Sequence, residues 1–559
     1  MNKEAYYEVP MRARSTFNTK VRPTEPGARA IVWSIAGSDS GGGAGLQADL
    51  KALQVFGVHG CTVVAAITAQ NSVAVTRVEP VSAELLDAQL AALAQDMPPH
   101  AIKTGLLGSA ENVRVVCRWV DRVREAARAQ GVDVPLVVDP VLGASTGTSY
   151  ADEAVLQAYI TELLPRASLI TPNRAEAQRL LAAVSESRSL PWPLSFSQSS
   201  GDVQHLATAL LSHMAPGASI VITGGDASTA NGTVEDWLTS PQASGWLSLP
   251  RVATSHHHGT GCTFASTAAA ALASGYCVAD AVVLAKMATT HALRHAYAAG
   301  QGAGPVNAQV DFGQDIQNLP ALCLGNAIYA SHAPGLYPAY GSFPALQHTD
   351  MGVYAVVDSA AWVRRVLAAG IRTVQLRIKD PDEPTLAAQI QEAIAIARTT
   401  PGAQLFINDH WQLALQHGAY GAHLGHEDLD VVDLDALRRA GVRLGLSTHS
   451  YWEVCRAWAL RPSYIACGPT FATQSKDMPW IPQGLGNLRY WANVLPLPVV
   501  GIAGIGLHNM TGVAATGAAS AAVITAITKA ANPDAACREL MARFERGVGV
   551  RHSGGTLPA

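Results

Sequence analysis

"GVYAVVDSAAWVRRVLAAGIRTVQLRIKD" occupies residues 352–380. It opens on a short apolar run, 352–358, crosses a stretch with helical spacing, and enters a second apolar run, 373–379, that stops on Lys379. Continuous apolar runs joined by a helical pattern describe parallel strands buried on both faces. The pattern continues. Further runs occupy 404–409, 420–425, 443–448, 464–470, 498–505 and 521–527, and most gaps between them carry helical period. Eight βα units in about 200 residues predict a (β/α)8 TIM barrel, at the small end of that fold's range.

In such a barrel the C-terminal strand ends form the active face. Lys379, Asn408, Asp409, Asp428, Ser447 and Thr473 bunch there. Lys379 and Lys476 can neutralise a diphosphate. Asp409 and Asp428 can hold Mg2+, which takes hard oxygen ligands and often bridges phosphates. Ser447, Thr473 and Ser475 supply hydroxyl donors. Gly504 and the backbone near Ile524 and Thr525 can form the phosphate cup found late in these barrels. Plain salt bridges are the alternative, and they would need residues on four separate strands to meet by accident.

Upstream, 301–350 is rich in Gly, Pro and aromatic residues and lacks helical period, so it reads as a domain end plus a connection. The expected division is a mobile tail at 1–29, a first domain at 30–310, a linker at 311–349 and the barrel at 350–550. Strand candidates in the first domain are 30–37, 61–69, 101–106, 135–140, 168–172 and 219–225, with a hairpin from 234–240 and 246–252. Helical patterns lie between, at 109–130 and 152–164 among others, and a long helix is expected just after Gly259. This implies a parallel sheet covered on both faces.

Two glycine-rich segments carry the chemistry of this half. "AGSDSGGGAGLQAD" (36–49) follows a strand and precedes a helix, but it lacks the βαβ unit and acidic ribose ligand of a dinucleotide fingerprint. Its glycines allow close backbone approach to a ligand; a flexible turn is the plainer reading. "HHHGTGCTFAS" (256–266) places Gly259, Thr260, Gly261 and Cys262 at a helix N-terminus, where free N–H groups and the helix dipole favour an anion. A transferring phosphoryl group is such an anion. A thiol there is expected to have a lowered pKa. A zinc site is disfavoured, because adjacent histidines in an extended segment face alternate sides and nothing nearby completes a ligand set. His256, His257 and His258 then read as half-exposed loop residues.

The 559 residues are 48% hydrophobic and 15% charged, with a formal net charge of −4. Several α/β cores are expected, with no electrostatic footprint for nucleic acid. No apolar run is long enough to span a bilayer. Residues 1–29 lack the apolar segment of a secretory signal. The eight cysteines form no CxxC pair, which fits a reducing cytoplasm better than a disulfide framework. The chain alone leaves homo-oligomerisation open.

Together "IAGSDSGGGAGLQADLK", "AQNS", "DPV", "TPNRAEA" and "HGTGCTFAS" resemble the hydroxymethylpyrimidine/phosphomethylpyrimidine kinases of thiamine biosynthesis, a ribokinase-like family, over roughly 30–310. The resemblance implies two ATP-dependent phosphorylations of 4-amino-5-hydroxymethyl-2-methylpyrimidine, to the monophosphate and then the diphosphate. It implies that Gln70 binds the pyrimidine and that Asp49 lies near its pocket. Gly259, Thr260 and Gly261 become an anion hole, and Cys262 activates the substrate hydroxyl. Asn173 and Glu176 help organise Mg-ATP; without the resemblance, "TPN" is a helix cap. Many relatives carry a lysine where this chain has Thr223 in "VITGGD", which leaves the nucleotide contacts there unassigned. The segment 189–200 resembles an insertion.

"VQLRIKD", "FINDHW", "GAHLGHEDLD", "LGLSTHS", "CGPTFATQSK" and "VGIAGI" resemble thiamine phosphate synthase over about 350–548. By that resemblance Gln375, Lys379, Asn408, Ser447 and Lys476 bind the pyrimidine diphosphate. Asp409 and Asp428 bind Mg2+. Thr473, Gln474, Ser475, Gly504, Ile524 and Thr525 meet a thiazole phosphate. The implied products are thiamine phosphate and pyrophosphate. The family often has two glycines where this chain has Ala503 and Gly504. A pyridoxal kinase and a non-catalytic thiamine-precursor sensor are the alternatives for the first domain.

Overall fold

The structure is a computed structural model that describes residues 28–143, 150–188, 200–226, 232–323, 341–380, 384–472 and 482–552. The chain divides into two compact units whose described residues end at 323 and resume at 341. The expected tail lies almost wholly outside the described residues.

The first unit is built on a ten-stranded sheet. Its strands are β1 (Ile31–Asp39), β2 (His59–Gln70), β3 (Val75–Pro80), β4 (Ala101–Thr104), β5 (Leu136–Val138), β6 (Leu169–Ile170), β7 (Ser219–Ile222), β8 (Thr233–Thr239), β9 (Ser244–Pro250) and β10 (Ala321–Cys323). The order across the sheet is β10-β9-β8-β7-β6-β5-β4-β1-β2-β3. Strands β2, β1, β4, β5, β6 and β7 run parallel. Antiparallel strands extend both edges. The parallel centre is the expected one. Strands β4 to β7 are buried throughout because helices cover both faces, while β2 alternates between buried and exposed positions.

Two strands were not foreseen. β3, "VTRVEP", is half exposed and carries Arg77 and Glu79 outward, so it lacks an apolar run. β10 is three residues long and sits inside the Gly/Pro-rich segment. It pairs with β9, which places 311–323 in the first unit rather than in a linker. At the other end Phe343 donates its N–H to the Arg461 carbonyl, and the Arg438 guanidinium lies 4.5 Å over its ring. Residues 341–349 thus pack on the barrel. The helix expected over 152–164 is broken: Glu153–Ala158 is α-helical, followed by a π turn at Tyr159–Leu163 and a 3-10 turn at Leu164–Arg166.

The helix expected after Gly259 runs from Thr260 to Ala273 and is buried from Thr263 onward. Its alanines explain this. They favour helix and let it approach the sheet closely, and a helix apolar on all sides belongs in a core.

The second unit is a closed barrel of eight parallel strands: β11 (Gly352–Val357), β12 (Thr373–Leu376), β13 (Gln404–Asn408), β14 (Gly421–Leu424), β15 (Arg443–Thr448), β16 (Tyr464–Cys467), β17 (Val499–Gly501) and β18 (Ser520–Val523). Pairing of β11 with β18 closes it. All eight coincide with the expected runs. Tyr354, Phe406, Tyr464, Ala466 and Val500 form a buried cluster from β11, β13, β16 and β17. Among the described residues, no helix is long and apolar enough to cross a membrane.

Candidate active sites

In the first unit, charged groups collect beneath the N-terminus of the Thr260–Ala273 helix. Lys103, on β4, is fully buried, and its Nζ lies 2.9 Å from both Asp49 oxygens and 3.9 Å from Asp139 Oδ2. Burial alone would lower the Lys103 pKa. The negative charges of Asp49 and Asp139 outweigh it and hold the lysine protonated. Asp139, just after β5, is raised to about 6 by burial, against the pull of Lys103. Its carboxylate faces Gly261, since a Cβ added there would sit 3.9 Å from both oxygens. Gly259 caps the helix at φ 87°, in the left-handed region open to glycine, and an added Cβ would strike the Gly43 carbonyl.

Two expectations need correction here. Asp49 is not at a pocket surface. It is fully buried and held by Lys103, by Ser34 Oγ at 2.6 Å and by Ser266 Oγ at 2.8 Å. It therefore supports Lys103 from below. The Cys262 thiol is raised to about 12 instead of lowered. Burial raises it most, and Asp49 and Asp139 add to that against the opposing Lys103 and Gly45 N–H. The helix N-terminus does not overcome burial and the two carboxylates together.

The glycine-rich loop also differs. The N–H groups of Gly41, Gly43 and Ala44 donate to the Asp39 carboxylate at 2.8, 2.9 and 2.8 Å. These donors are committed to a side chain of the loop itself rather than to an incoming anion. Burial alone would raise the Asp39 pKa; hydrogen bonds from His258 and the three N–H groups lower it. His258 Nε2 lies 3.1 Å from Asp39 Oδ2 and 3.1 Å from Gln70 Nε2. The loop, His258 and the expected pyrimidine ligand Gln70 thus form one assembly. His256 Nδ1 accepts from the Gly304 N–H, and His257 is exposed. Among the described residues no group of three or more His, Cys, Asp or Glu side chains could hold a metal ion.

Asn173 and Glu176 make a reciprocal capping box at the start of the Arg174–Arg188 helix. Glu176 Oε2 accepts from the Asn173 N–H at 3.0 Å, and Asn173 Oδ1 accepts from the Glu176 N–H at 2.9 Å. Burial and Asp139 push Glu176 up to about 8, so it is largely protonated at neutral pH. Near Thr223, the Gly224 N–H donates to Asp236, whose other oxygen pairs with Lys286 Nζ at 2.8 Å. The lysine missing from "VITGGD" has a counterpart on another helix, already committed to a buried carboxylate.

The barrel carries a cavity of about 1330 Å3 at the C-terminal strand ends. Gln375, Lys379, Asn408, Asp409, Asp428, Ser447, Gly504, Ile524 and Thr525 all line it. The strand-end reading therefore brings its described residues together. Thr473, Gln474, Ser475 and Lys476 lie outside the described residues. Partial burial and the charge of Asp428 raise the Asp409 carboxyl, while Arg377 and His410 oppose the rise. Asp409 sits at φ 60° beside the Asp428 loop, where the Gly425 N–H donates to Asp428 Oδ2 at 2.7 Å. Arg377, His423 and His449 also line the cavity and were given no role from sequence. Arg377 stands two residues before Lys379, and strand alternation could have flagged it.

Ala503 lines the same cavity at φ 69°, in the left-handed region. Its methyl costs about 1 kcal/mol there, which accounts for the glycine of relatives. Ala503→Gly should leave the fold intact and raise the melting temperature by a few degrees, as read by thermal unfolding of the full chain. A drop would show that the methyl packs more than it strains.

Charged side chains thus gather in both units, around Lys103 in the first and along the cavity in the second, as in a two-domain enzyme. Residues 39–307 match the family model described as phosphomethylpyrimidine kinase, and 352–527 match that of thiamine monophosphate synthase. The thiamine-phosphate synthase of Klebsiella pneumoniae is 52% identical over 193 residues, 34% of this chain and 91% of that protein. That of Serratia proteamaculans is 50% identical over 204 residues, 36% of this chain and 95% of that protein. A solved pyridoxal kinase from Staphylococcus aureus, in complex with AMP-PCP and pyridoxal, is 32% identical, covers 50% of this chain and 94% of its own, and has a TM-score of 0.42. A phosphomethylpyrimidine kinase from Clostridium difficile is 28% identical, covers 47% of this chain and 100% of its own, and has a TM-score of 0.39. The chain belongs to the thiamine-phosphate synthase family through its barrel and carries a phosphomethylpyrimidine kinase domain ahead of it, a bifunctional enzyme of thiamine biosynthesis.

Proposed function

We propose that the first domain phosphorylates 4-amino-5-hydroxymethyl-2-methylpyrimidine with ATP, then phosphorylates the monophosphate, and that the barrel joins the resulting diphosphate to a thiazole phosphate. The observation that carries this reading is the barrel cavity, which Arg377, Lys379, Asp409 and Asp428 line together with Gln375, Asn408 and Ser447. Cations suit a diphosphate. Asp409, raised by burial first and by the charge of Asp428 second, forms with Asp428 a carboxylate pair that suits a divalent cation.

In the kinase step the substrate hydroxyl oxygen attacks the γ-phosphorus, the bond to the β-bridging oxygen breaks, and ADP leaves. The helix N-terminus at Gly259, Thr260 and Gly261 stabilises the charge on the transferring group. Asp139, ionised at neutral pH, is the cluster's proton acceptor, and Cys262 would pass the substrate hydroxyl's proton toward it. Asn173 and Glu176 would orient the nucleotide's phosphates, with Glu176 giving up its proton where Mg2+ binds beside it.

In the barrel, Mg2+ held by Asp409 and Asp428 would supply positive charge for the diphosphate. Arg377 and Lys379 oppose the negative charge that grows on the departing pyrophosphate. Gln375, Asn408 and Ser447 hold the pyrimidine as its methylene carbon loses pyrophosphate and bonds to the thiazole nitrogen. No nucleophilic side chain is required. Gly504, Ile524 and Thr525 take the thiazole phosphate.

The test is to incubate the full chain with the hydroxymethylpyrimidine, thiazole phosphate, ATP and Mg2+ and follow products by mass spectrometry. Thiamine phosphate is expected. If it forms only when the pyrimidine diphosphate is supplied, the kinase reading is wrong, and turnover of pyridoxal in its place would identify the alternative. Gln70→Leu should raise the KM for the hydroxymethylpyrimidine about tenfold or more with a smaller change in kcat, since it removes ground-state hydrogen bonds. An unchanged KM would remove Gln70 from the pocket.

A further inference from the structure

Gln70 is the last residue of β2 and lies past Thr68, where pairing with β1 ends. On its other side the pairing with β3 slips between Ala69 and Gln70, an irregularity of the kind that re-aims a side chain. One hydroxyl takes up the Gln70 backbone. Ser40 Oγ donates to the Gln70 carbonyl at 2.7 Å and accepts from the Gln70 N–H at 2.9 Å. Ser40 thus continues, through its side chain, the pairing that the backbone of β1 gives up at Asp39. The Gln70 side chain meets a second residue. His258 Nε2 lies 3.1 Å from its amide nitrogen and 3.1 Å from Asp39 Oδ2. Gly43 leaves room for that ring, since an added Cβ would strike His258 Cδ2. Just past Gln70, Asn71 Oδ1 accepts from the Val73 and Ala74 N–H groups, and Ser72 Oγ accepts from the Gly302 N–H at 3.0 Å.

Gln70 is therefore held at both ends, by Ser40 at its backbone and by His258 at its amide. Neither holder belongs to the apolar core: Ser40 is exposed and His258 is half-buried. An exposed hydroxyl gains little stability by exchanging water for a backbone partner. What it contributes is geometry. A glutamine side chain turns about several bonds, and a site reads its ligand sharply only when the residues behind it lock the reading group in place. The loop's own N–H groups close on Asp39 and so shape the turn that presents Ser40 to the end of β2. Asp39 in turn anchors the His258 ring.

We infer that the glycine-rich loop at 39–44 is a clasp for Gln70, with Ser40 and His258 as positioning residues that fix how the kinase domain holds its pyrimidine. The inference rests on Gln70 binding that pyrimidine. The loop then serves the heterocycle end of the reaction, and the transferring phosphoryl group is left to Gly259, Thr260 and Gly261. Without the clasp, Gln70 is competent for only a fraction of the time, and apparent affinity falls by that fraction. A substrate once bound reacts as before. Loss of the clasp should therefore raise KM and spare kcat.

The test is a double-substitution cycle on the full-length protein, read as kcat and as KM for the hydroxymethylpyrimidine and for ATP. Ser40→Ala should raise the pyrimidine KM about fivefold and leave kcat and the ATP KM within about twofold of the parent. Ser40→Thr keeps the hydroxyl and should restore the parental KM. In a Gln70→Leu background Ser40→Ala should add nothing, because it acts through the glutamine. His258→Ala also unties Asp39, so its measure is the same loss of effect in Gln70→Leu rather than its size. If Gln70→Leu raises the KM and Ser40→Ala does not, water replaces the hydroxyl and the inference is overturned. Full additivity of Ser40→Ala with Gln70→Leu overturns it too, as does a parallel loss of kcat, both KM values and melting temperature, which marks a structural role. A Gln70→Leu variant with unchanged KM refutes instead the reading of Gln70, and the clasp falls with it.

Discussion

Asp409→Asn combined with Asp428→Asn is expected to abolish coupling of supplied pyrimidine diphosphate, by on the order of a thousandfold or more, while ADP production by the first domain stays unchanged. The two carboxylates line one cavity, and Asp409 is raised first by burial and then by the charge of Asp428. Such a pair is strained when nothing positive lies between them, and the substitutions remove that strain together with the cation's ligands. Stability and activity should therefore move in opposite directions. A carboxyl whose folded pKa is raised binds more protons folded than unfolded. In the metal-free protein, stability should then fall as pH rises from the ordinary aspartate range through the higher folded pKa of Asp409. Asp409→Asn should erase that loss. The gain is small because Asp409 is open to solvent, which screens the repulsion. Thermal unfolding in chelator across pH 4 to 7 reads the slope. Coupling that survives the double substitution, or ADP production that falls with it, would show that these carboxylates do not serve the barrel's chemistry alone.

Much of that site is legible from sequence because a parallel barrel leaves little freedom. Strands buried on both faces must be apolar runs, so β11 to β18 announce themselves, and the polar residue that ends each run must stand on the active face. Asp409 and Asp428 follow from that rule alone. The first domain obeys the same rule at its centre and departs from it at its edges. β3 is half solvated and charged, and β10 is too short to form a pattern. Tyr354 and His423, both hydrogen-bonded to the Tyr464 hydroxyl, read with it as ordinary core in a strand, because nothing in a single sequence tells buried hydrogen bonds from aromatic packing. Asp39 likewise reads as part of a glycine loop until the fold shows the loop closing on it. Lys103 could have been noticed: a lysine inside an otherwise uncharged strand needs a buried partner, and it has Asp49 and Asp139. Asp49 shows the opposite failure. The motif marks it as important, but only the structure shows that it acts on Lys103 from within the core.

Cys262→Ala is expected to lower the kinase rate by about a hundredfold or more, the usual scale for a group that manages a proton in transfer, and to leave coupling from supplied diphosphate intact. The more informative variant is Cys262→Ser. With its pKa raised to about 12, Cys262 is a neutral thiol under working conditions. A neutral thiol offers one proton to give while it takes another. A hydroxyl does the same, so Cys262→Ser should retain activity within about tenfold of the parent. A thiolate mechanism predicts otherwise, since serine ionises even less readily and would fail as badly as alanine. The pH profile separates the two independently. Asp139, raised to about 6, is ionised at neutral pH and takes up a proton as pH falls. Kinase kcat/KM should therefore decline below about pH 6 through loss of the acceptor, with no rise between pH 7 and 9 from the cysteine. A rate that climbs across that alkaline range in the parent and goes flat in Cys262→Ser would establish a thiolate base and show that bound substrate reverses the effect of the two buried carboxylates on the thiol.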